Sequence, residues 1–217
     1  MIEIAIHNEQ GKQVDTLQID EQLLGGEVRP VLLKQAYVRQ HANRRQGTVQ
    51  TKSRSDTAYS TRKLYRQKGT GNARRGAAGT NLMYHGGHAF AKRPRSWRQS
   101  MPVAMRRLAN RNALLAKVVD GEVKVVDKFS FDKPSAKQFA SLLTALNIDR
   151  SCLLALSDTR KAEARSARNL DNITLTHVDR LNAFDLLNHR FLLADKESLQ
   201  AWIDRAAWAD DAAAELE

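Results

Sequence analysis

Apolar residues follow regular periods at both ends of the chain and lose them in the middle. The alternation of isoleucine over residues 2–6 has a period of two and predicts a strand. Apolar positions over residues 14–19 predict a second short strand. A helix is predicted to begin near Pro30, which a first helical turn tolerates, and to end near Asn43. The N-terminal part is therefore predicted to fold as two strands and a helix.

From residue 46 to about residue 100 the periodicity stops. Seven of the 11 glycines lie there, among Thr, Ser, Gln and basic residues. A stretch of this length without regular structure is rare inside a compact domain, and it is usually functional or disordered. Its composition buries too little apolar surface to offset the entropy lost on ordering. We therefore expect this segment to be ordered mainly by a partner.

Regular structure resumes at Ser100, which is predicted to cap a helix with Pro102 in its first turn. Strands and helices then alternate to the end of the chain. The predicted elements are a strand over 122–127, a helix capped by Ser135, a doubly buried strand over 152–156, a polar helix over 159–169, a strand over 173–178, a helix over 183–188, a strand over 190–194 and a last helix capped by Asp195.

This alternation predicts an α/β fold, with an open, mainly parallel sheet and helices on both faces. A long extended basic loop is predicted to be inserted after the first helix. We expect residues 1–45 and 100–208 to form one α/β globular domain. Residues 46–99 would be the extended loop that binds RNA, and residues 209–217 an acidic, flexible tail.

The charges of the chain are strongly segregated. The 217 residues carry a formal net charge of +11, yet the stretch from Arg39 to Arg111 alone holds 18 Lys and Arg against one acid, Asp56. The remainder is mildly acidic. A solvated surface normally mixes both signs, whereas cations at this density repel one another until a polyanion neutralises them. The charge pattern therefore predicts a nucleic-acid partner.

Other classes of protein are disfavoured. No apolar run approaches the ~20 residues that a membrane helix needs, and the first residues lack the pattern of a signal peptide. The single cysteine, Cys152, lies in an apolar run and is expected to behave as a small buried hydrophobe. These features predict a cytoplasmic protein without a membrane partner.

The most distinctive string runs from Arg62 to Gly76 and reads RKLYRQKGTGNARRG. Glycines allow close backbone approach, Arg binds phosphate bidentately, and Tyr65 could stack on an unpaired base. A dinucleotide-binding loop is disfavoured because the glycine spacing is wrong and no strong strand precedes it. A disordered basic linker remains an alternative.

A second cluster, from Met83 to Arg98, interleaves aromatic and basic residues. His85 and His88 lack the further cysteine or carboxylate ligands that a zinc site needs, so we expect no metal. Phe90 and Trp97 suit either stacking on RNA bases or packing of the loop's base onto the globular body, and both interpretations stay open.

The chain resembles one known family, the bacterial form of the universal large-subunit ribosomal protein four. The resemblance rests on RQKGTGNAR from Arg66 to Arg74, Arg45–Thr48, Gly86-Gly87, Phe90, Lys92–Pro94, Arg106–Ala109 and the alternation of strands and helices. Three positions depart from the family pattern. Leu64-Tyr65 replaces Pro-Trp, Asn72 begins the triplet that is often Arg-Ala-Arg, and Tyr84-His85 replaces a common Trp-Arg pair.

The resemblance implies a structural, non-enzymatic protein without a cofactor in the large ribosomal subunit. Its globular domain would lie on the outside of the subunit, and its loop would thread through large-subunit rRNA beside neighbouring ribosomal proteins. The loop tip, here Lys68, Gly69, Thr70 and Gly71, would line the peptide exit tunnel and affect macrolide sensitivity. Some bacterial members also repress their own operon by binding its messenger leader.

Charge pattern and resemblance together predict a set of RNA-binding residues in and beside the loop. They are Arg44, Arg45, Gln46, Thr48, Lys52, Arg54, Arg62, Lys63, Tyr65, Arg66, Gln67, Lys68, Gly69, Thr70, Gly71, Arg74, Arg75, Lys92, Arg93, Arg95 and Arg98. The alternative function is a nucleotide-dependent α/β enzyme acting on RNA. Its ligand would bind at the carboxyl ends of the parallel strands, with the loop from Ser157 to Arg160 as the candidate.

Overall fold

A computed structural model describes residues 1–129, 131, 133–158 and 162–214, with side chains up to residue 205. The strands are β1 Ile2–His7, β2 Gln13–Ile19, β3 Val123–Val126, β4 Cys152–Leu156, β5 Ile173–His177 and β6 Phe191–Asp195. The helices are α1 Pro30–Asn43, α2 Val103–Val119, α3 Ala136–Ala145, α4 Ala162–Ala167, α5 Ala183–Asn188 and α6 Lys196–Ala214. Short 3-10 helices lie at Glu21–Leu24 and Val178–Arg180.

The six strands form a single mixed sheet in the order β2-β1-β3-β6-β4-β5. Among the strands of the described residues, the β1–β2 pair alone is antiparallel, and Gly11 adopts a positive φ of 78° in the turn between these two strands. The remaining neighbours pair in parallel. The predicted α/β class with a mainly parallel sheet is therefore confirmed.

Helices cover both faces of the sheet, as predicted, and each face has its own core. Strand β4 shows the division, because Leu153 and Ala155 pack with α2, α5 and α6, whereas Cys152 and Leu154 pack with α3 and α4. All five β4 residues are buried. Burial raises the pKa of the Cys152 thiol to about 12, so the thiol stays protonated and packs as an apolar side chain.

Two of the three predicted helix caps are confirmed. The Ser135 hydroxyl accepts a hydrogen bond from the Gln138 N–H, and the Asp195 carboxylate accepts one from the Ser198 N–H. The prediction that Ser100 caps a helix is wrong. Helix α2 has Pro102 at its cap position, with no side-chain hydrogen bond, and its first backbone bond runs from Arg106 N–H to the Pro102 carbonyl. Ser100 therefore lies two residues before the position from which a side chain could cap the helix.

The C-terminal boundaries differ by a few residues from the predicted ones. Strand β5 ends at His177, whose ring accepts a hydrogen bond from the Asp179 N–H and starts a 3-10 turn. The predicted helix over 159–169 is observed as α4, and residues 159–161 lie outside the described residues. Helix α6 includes residues 209–214 of the predicted tail, and residues 215–217 lie outside the described part. The flexibility of the tail stays a prediction.

Among the residues that the structure describes, no helix is long and apolar enough to cross a membrane.

Candidate nucleic-acid interface

Residues Ala42–Gln99 form a compact unit separate from Met1–His41 and the chain from Ser100 onward. We call this unit the basic segment. From residue 44 to residue 99, all of which the structure describes, there is no helix or strand longer than an isolated bridge. The absence of helices and strands from these residues agrees with the loss of apolar periodicity in their sequence. The extension of the segment through RNA stays a prediction.

The two ends of the basic segment are held together by hydrogen bonds that we call its paired base. They link Asn43 with Gln99 (2.8 and 3.3 Å), Gly47 with Arg95 (3.0 Å), Thr51 with Lys92 (2.8 and 2.9 Å) and Lys52 with His88 (2.9 Å). The paired base therefore brings residues 43–52 beside residues 88–99.

Residues 63–77 form a hairpin-like turn inside the segment. The Leu64 N–H donates to the Gly76 carbonyl at 3.1 Å, and Lys63 and Ala77 form an antiparallel bridge. The Tyr65 hydroxyl donates to the Ala73 carbonyl. The Tyr65 hydroxyl therefore holds the turn closed, and stacking of its ring on an RNA base stays a prediction.

The apex of this turn is the predicted tunnel-proximal tetrapeptide, Lys68 to Gly71. Gly69 and Gly71 have φ values of 78° and 70°, in the left-handed region that side chains disfavour. An Arg66 guanidinium nitrogen donates to the Gly69 carbonyl at 2.8 Å. A Cβ atom added at Gly71 would meet no neighbouring atom within 4 Å. The apex is thus an open glycine turn braced by one arginine.

All 14 Lys and Arg side chains of the basic segment are exposed. The paired base and its surroundings carry Arg44, Arg45, Lys52, Arg54, Lys92, Arg93, Arg95 and Arg98, and the hairpin-like turn and its surroundings carry Arg62, Lys63, Arg66, Lys68, Arg74 and Arg75. Gln46, Thr48 and Gln67 are exposed beside them, while Thr70 is half-buried. The structure thus places every predicted cation in contact with solvent, within one unit.

The single acid of the segment, Asp56, is used inside a local turn. Its carboxylate accepts hydrogen bonds from the Ser53 hydroxyl (2.5 Å) and the Ser53 N–H (2.9 Å). These bonds, the hydroxyl first, hold the pKa of Asp56 below its ordinary value. Its negative charge therefore stabilises the turn around residue 53.

The sequence did not assign roles to Phe90 and Trp97. Trp97 lies between two guanidinium groups, with Arg45 Cζ 3.7 Å and Arg95 Cζ 3.5 Å from its ring centroid. Phe90 is 100% exposed. Trp97 therefore packs the paired base, whereas Phe90 packs against nothing in the basic segment. The arginines next to Trp97 in the sequence were the signal that could have predicted its contact with Arg95. The contact with Arg45 could not be predicted, because Arg45 lies far from Trp97 along the chain.

The two histidines considered as metal ligands lie in the same segment. His85 has a φ of 63°, and its ring meets the Tyr84 ring edge-on at a centroid distance of 4.0 Å. Across the described residues, no three His, Cys, Asp or Glu side chains form a group that could hold a metal ion.

The alternative function requires a ligand at the carboxyl ends of the parallel strands. A cavity of about 220 Å³ lies there beside Ser157, and four acids, Asp127, Glu163, Asp195 and Glu197, outnumber one base, Lys128, in its lining. These carboxylates would repel a nucleotide's phosphates. Thr159 and Arg160 of the candidate loop lie outside the described residues. The described part of this edge therefore does not favour nucleotide binding.

Comparisons with known proteins agree on one family. The family model described as "Ribosomal protein L4/L1 family" matches residues 17–205. "Large ribosomal subunit protein uL4" of Dehalococcoides mccartyi is 40% identical over 199 residues, which are 92% of this chain and 95% of the relative. The proteins of the same name from Moorella thermoacetica and Alkaliphilus metalliredigens are 37% and 35% identical, each over 92% of this chain and 96% and 97% of the relative. The chain therefore belongs to the ribosomal protein L4/L1 family.

Proposed function

We propose that this protein is a structural constituent of the large ribosomal subunit that binds and stabilises large-subunit rRNA through its basic segment. The observation that carries the proposal is the exposure of all 14 cations of the segment, whose one acid is bound internally by Ser53. Such a surface neutralises phosphates without reading sequence directly. Neighbouring ribosomal proteins are the other expected partners, in the bacterial cytoplasm.

The mechanism is neutralisation and shape matching rather than chemistry. Arg side chains can bind phosphates bidentately, and the glycine apex lets the backbone approach a sugar-phosphate surface. Membership in a family of structural ribosomal proteins confirms the expectation that the chain is not an enzyme. The nucleotide-dependent alternative is therefore not retained.

The apex from Lys68 to Gly71 is the part of the segment that we propose to lie at the peptide exit tunnel. Support comes from its position at the turn of residues 63–77 and from the open space around Gly71. A glycine turn can enter a narrow passage because it presents little side-chain bulk. The messenger leader of the protein's own operon is a further proposed RNA ligand, which would use the same exposed cations.

Salt dependence of rRNA binding tests the proposed function. In filter binding to large-subunit rRNA fragments, we expect log Kd to rise steeply with log salt, by about 0.7–0.9 for each phosphate neutralised. Unrelated RNA of the same length is the control, and weaker binding to it is expected. A flat salt response, or equal affinity for both RNAs, would contradict specific rRNA binding.

Limited trypsin digestion tests how the free segment is ordered. We expect the first cuts between Lys52 and Arg98, since the cations there are exposed and lie outside helices and strands. The flanking parts should stay associated, because β1 lies beside β3 in the sheet. Bound rRNA should slow these cuts. Resistance of residues 52–98 without RNA would show that the segment is ordered by itself.

A further inference from the structure

We propose that a cleft in the paired base of the basic segment holds one unpaired nucleotide of the bound RNA, with its base stacked on Phe90. This inference rests on the proposed rRNA binding and adds a defined site to it. The cleft measures about 650 Å³, within the range of roughly 300–1,000 Å³ that small-ligand sites occupy. Its lining includes Phe90, Trp97 and four cations.

One wall of the cleft is formed before any ligand arrives. The Arg45 and Arg95 guanidinium groups both lie over the Trp97 ring, with their Cζ atoms 3.7 and 3.5 Å from its centroid. The Arg95 N–H donates to the Gly47 carbonyl at 3.0 Å and fixes the spacing of the two chains. Gly47 has a φ of 76°, and a Cβ there would lie 2.1 Å from the Arg95 carbonyl oxygen. Only glycine allows this close approach of the two chains.

Phe90 supplies the other aromatic surface, and it differs from Trp97 because no ring or cation of the described residues packs on it. The side chain is 100% exposed although it lines the cleft. Bases splayed out of single-stranded RNA stack on such rings, and every base offers a flat face for this contact. The exposed ring is therefore suited to a base.

The charges of the cleft complete the case for a nucleotide. Arg45, Lys92, Arg93 and Arg95 line it, and no acid does. The Lys92 N–H donates to the Thr51 hydroxyl at 2.8 Å, and the Lys92 carbonyl accepts from the Thr51 N–H at 2.9 Å, so the backbone that carries this ammonium is fixed at the cleft. Cations beside a free aromatic face match the phosphate and base of one nucleotide. An acidic protein segment would match the cations and leave the Phe90 ring without a stacking partner.

Substitution of Phe90 in the full-length protein tests the proposal in the same filter-binding assay. Phe90→Leu keeps an apolar side chain and removes the ring, and we expect rRNA affinity to fall about 5- to 150-fold, the range measured for loss of one base–aromatic stack. Phe90→Tyr keeps the ring and should bind as the unsubstituted protein does. The salt slope should not change in either variant. Folding should be unaffected, because the side chain is fully exposed.

Lys92→Ala is the matched charge variant. It should lower the slope of log Kd against log salt by about 0.7–0.9, since it removes one phosphate contact. Ultraviolet crosslinking and mass spectrometry should then find a nucleotide attached at Phe90 in the unsubstituted complex. Unchanged affinity in Phe90→Leu would overturn the nucleotide site while leaving rRNA binding by the unsubstituted protein intact.

Two competitors identify the ligand. AMP should bind far more weakly than the RNA, because it lacks the neighbouring phosphates. AMP that binds as tightly as the RNA would show a free-nucleotide site and overturn the proposal. Polyglutamate should compete equally against the unsubstituted protein and Phe90→Leu, because it meets only the cations. Polyglutamate that loses affinity with Phe90→Leu would show a peptide site instead.

Discussion

Replacing residues 44–98 with a short Gly-Ser linker is expected to leave a folded protein whose affinity for large-subunit rRNA is reduced at least about a thousandfold. The replacement removes all 14 Lys and Arg of the basic segment and its one acid. The remaining chain carries 21 Lys and Arg against 23 Asp and Glu, so its net charge becomes slightly negative. A body of this charge no longer attracts a polyanion.

The size of the expected loss follows from counterion release. A protein that makes about six to ten phosphate contacts loses roughly 10³–10⁵ in affinity when salt rises from low to physiological concentration, because those contacts carry most of the binding. Removing the contacts should therefore reduce affinity at low salt by a similar factor. The salt slope should also become shallow.

The linker variant should fold because the described body does not depend on the segment. Neither of the two buried apolar clusters among the described residues includes a residue from 44–98. Asn43 and Gln99 remain in the variant, and their two hydrogen bonds of 2.8 and 3.3 Å show that a short linker can close the gap. Closing a shorter loop also costs less entropy.

Thermal unfolding and filter binding on the same preparation check both parts of this prediction. Cooperative unfolding near the melting temperature of the full chain, with rRNA binding lost, is the expected result. A folded linker variant that still binds rRNA within tenfold would show that the α/β body carries most of the affinity, and it would contradict the proposed role of the basic segment.

The α/β body could be predicted well because its signals are local. The run from Cys152 to Leu156 is apolar at every position, and a short run of that kind suits a strand covered on both faces. The order of the strands could not be predicted in the same way. Strand β6 lies between β3 and β4 in the sheet, and no local pattern specifies which parallel neighbours pair.

The candidate site was predictable in composition and unpredictable in geometry. The cations of the basic segment could be named from charge alone, because only one acid is mixed among them. The pairing of Gly47 with Arg95 could not be predicted from the sequence, since about fifty residues separate them and no periodicity links them. For the same reason the cleft beside Trp97 depends on contacts between distant parts of the segment, and only the structure shows them.

The second large effect is expected in the body, where Glu122→Ala should lower the free energy of unfolding by about 3–5 kcal/mol. Glu122 accepts a hydrogen bond from the Lys117 ammonium at 2.5 Å, and the two side chains are only 13% and 11% exposed. Lys117 also donates to the Arg190 carbonyl at 2.9 Å. Removing the carboxylate leaves an almost buried ammonium with one carbonyl as its partner.

This loss is larger than a surface ion pair would cause, because the ammonium left behind is only 11% exposed. An unpaired charge that stays in a low-dielectric site costs several kcal/mol, whereas an exposed pair contributes about 0–1 kcal/mol. The chain offers a direct comparison, because the Arg190 side chain pairs with the other Glu122 oxygen at 2.9 Å and is 53% exposed. Arg190→Ala is therefore expected to cost less than about 1 kcal/mol.

Urea unfolding of four proteins separates these contributions. The single variants Glu122→Ala and Arg190→Ala should differ by at least about 2 kcal/mol, because one leaves a buried charge and the other does not. The double variant Lys117→Met with Glu122→Leu removes both buried charges and should recover most of the stability that Glu122→Ala loses. If the double variant is as unstable as Glu122→Ala, the loss comes from packing around α2 and β3 and the ion-pair explanation is wrong.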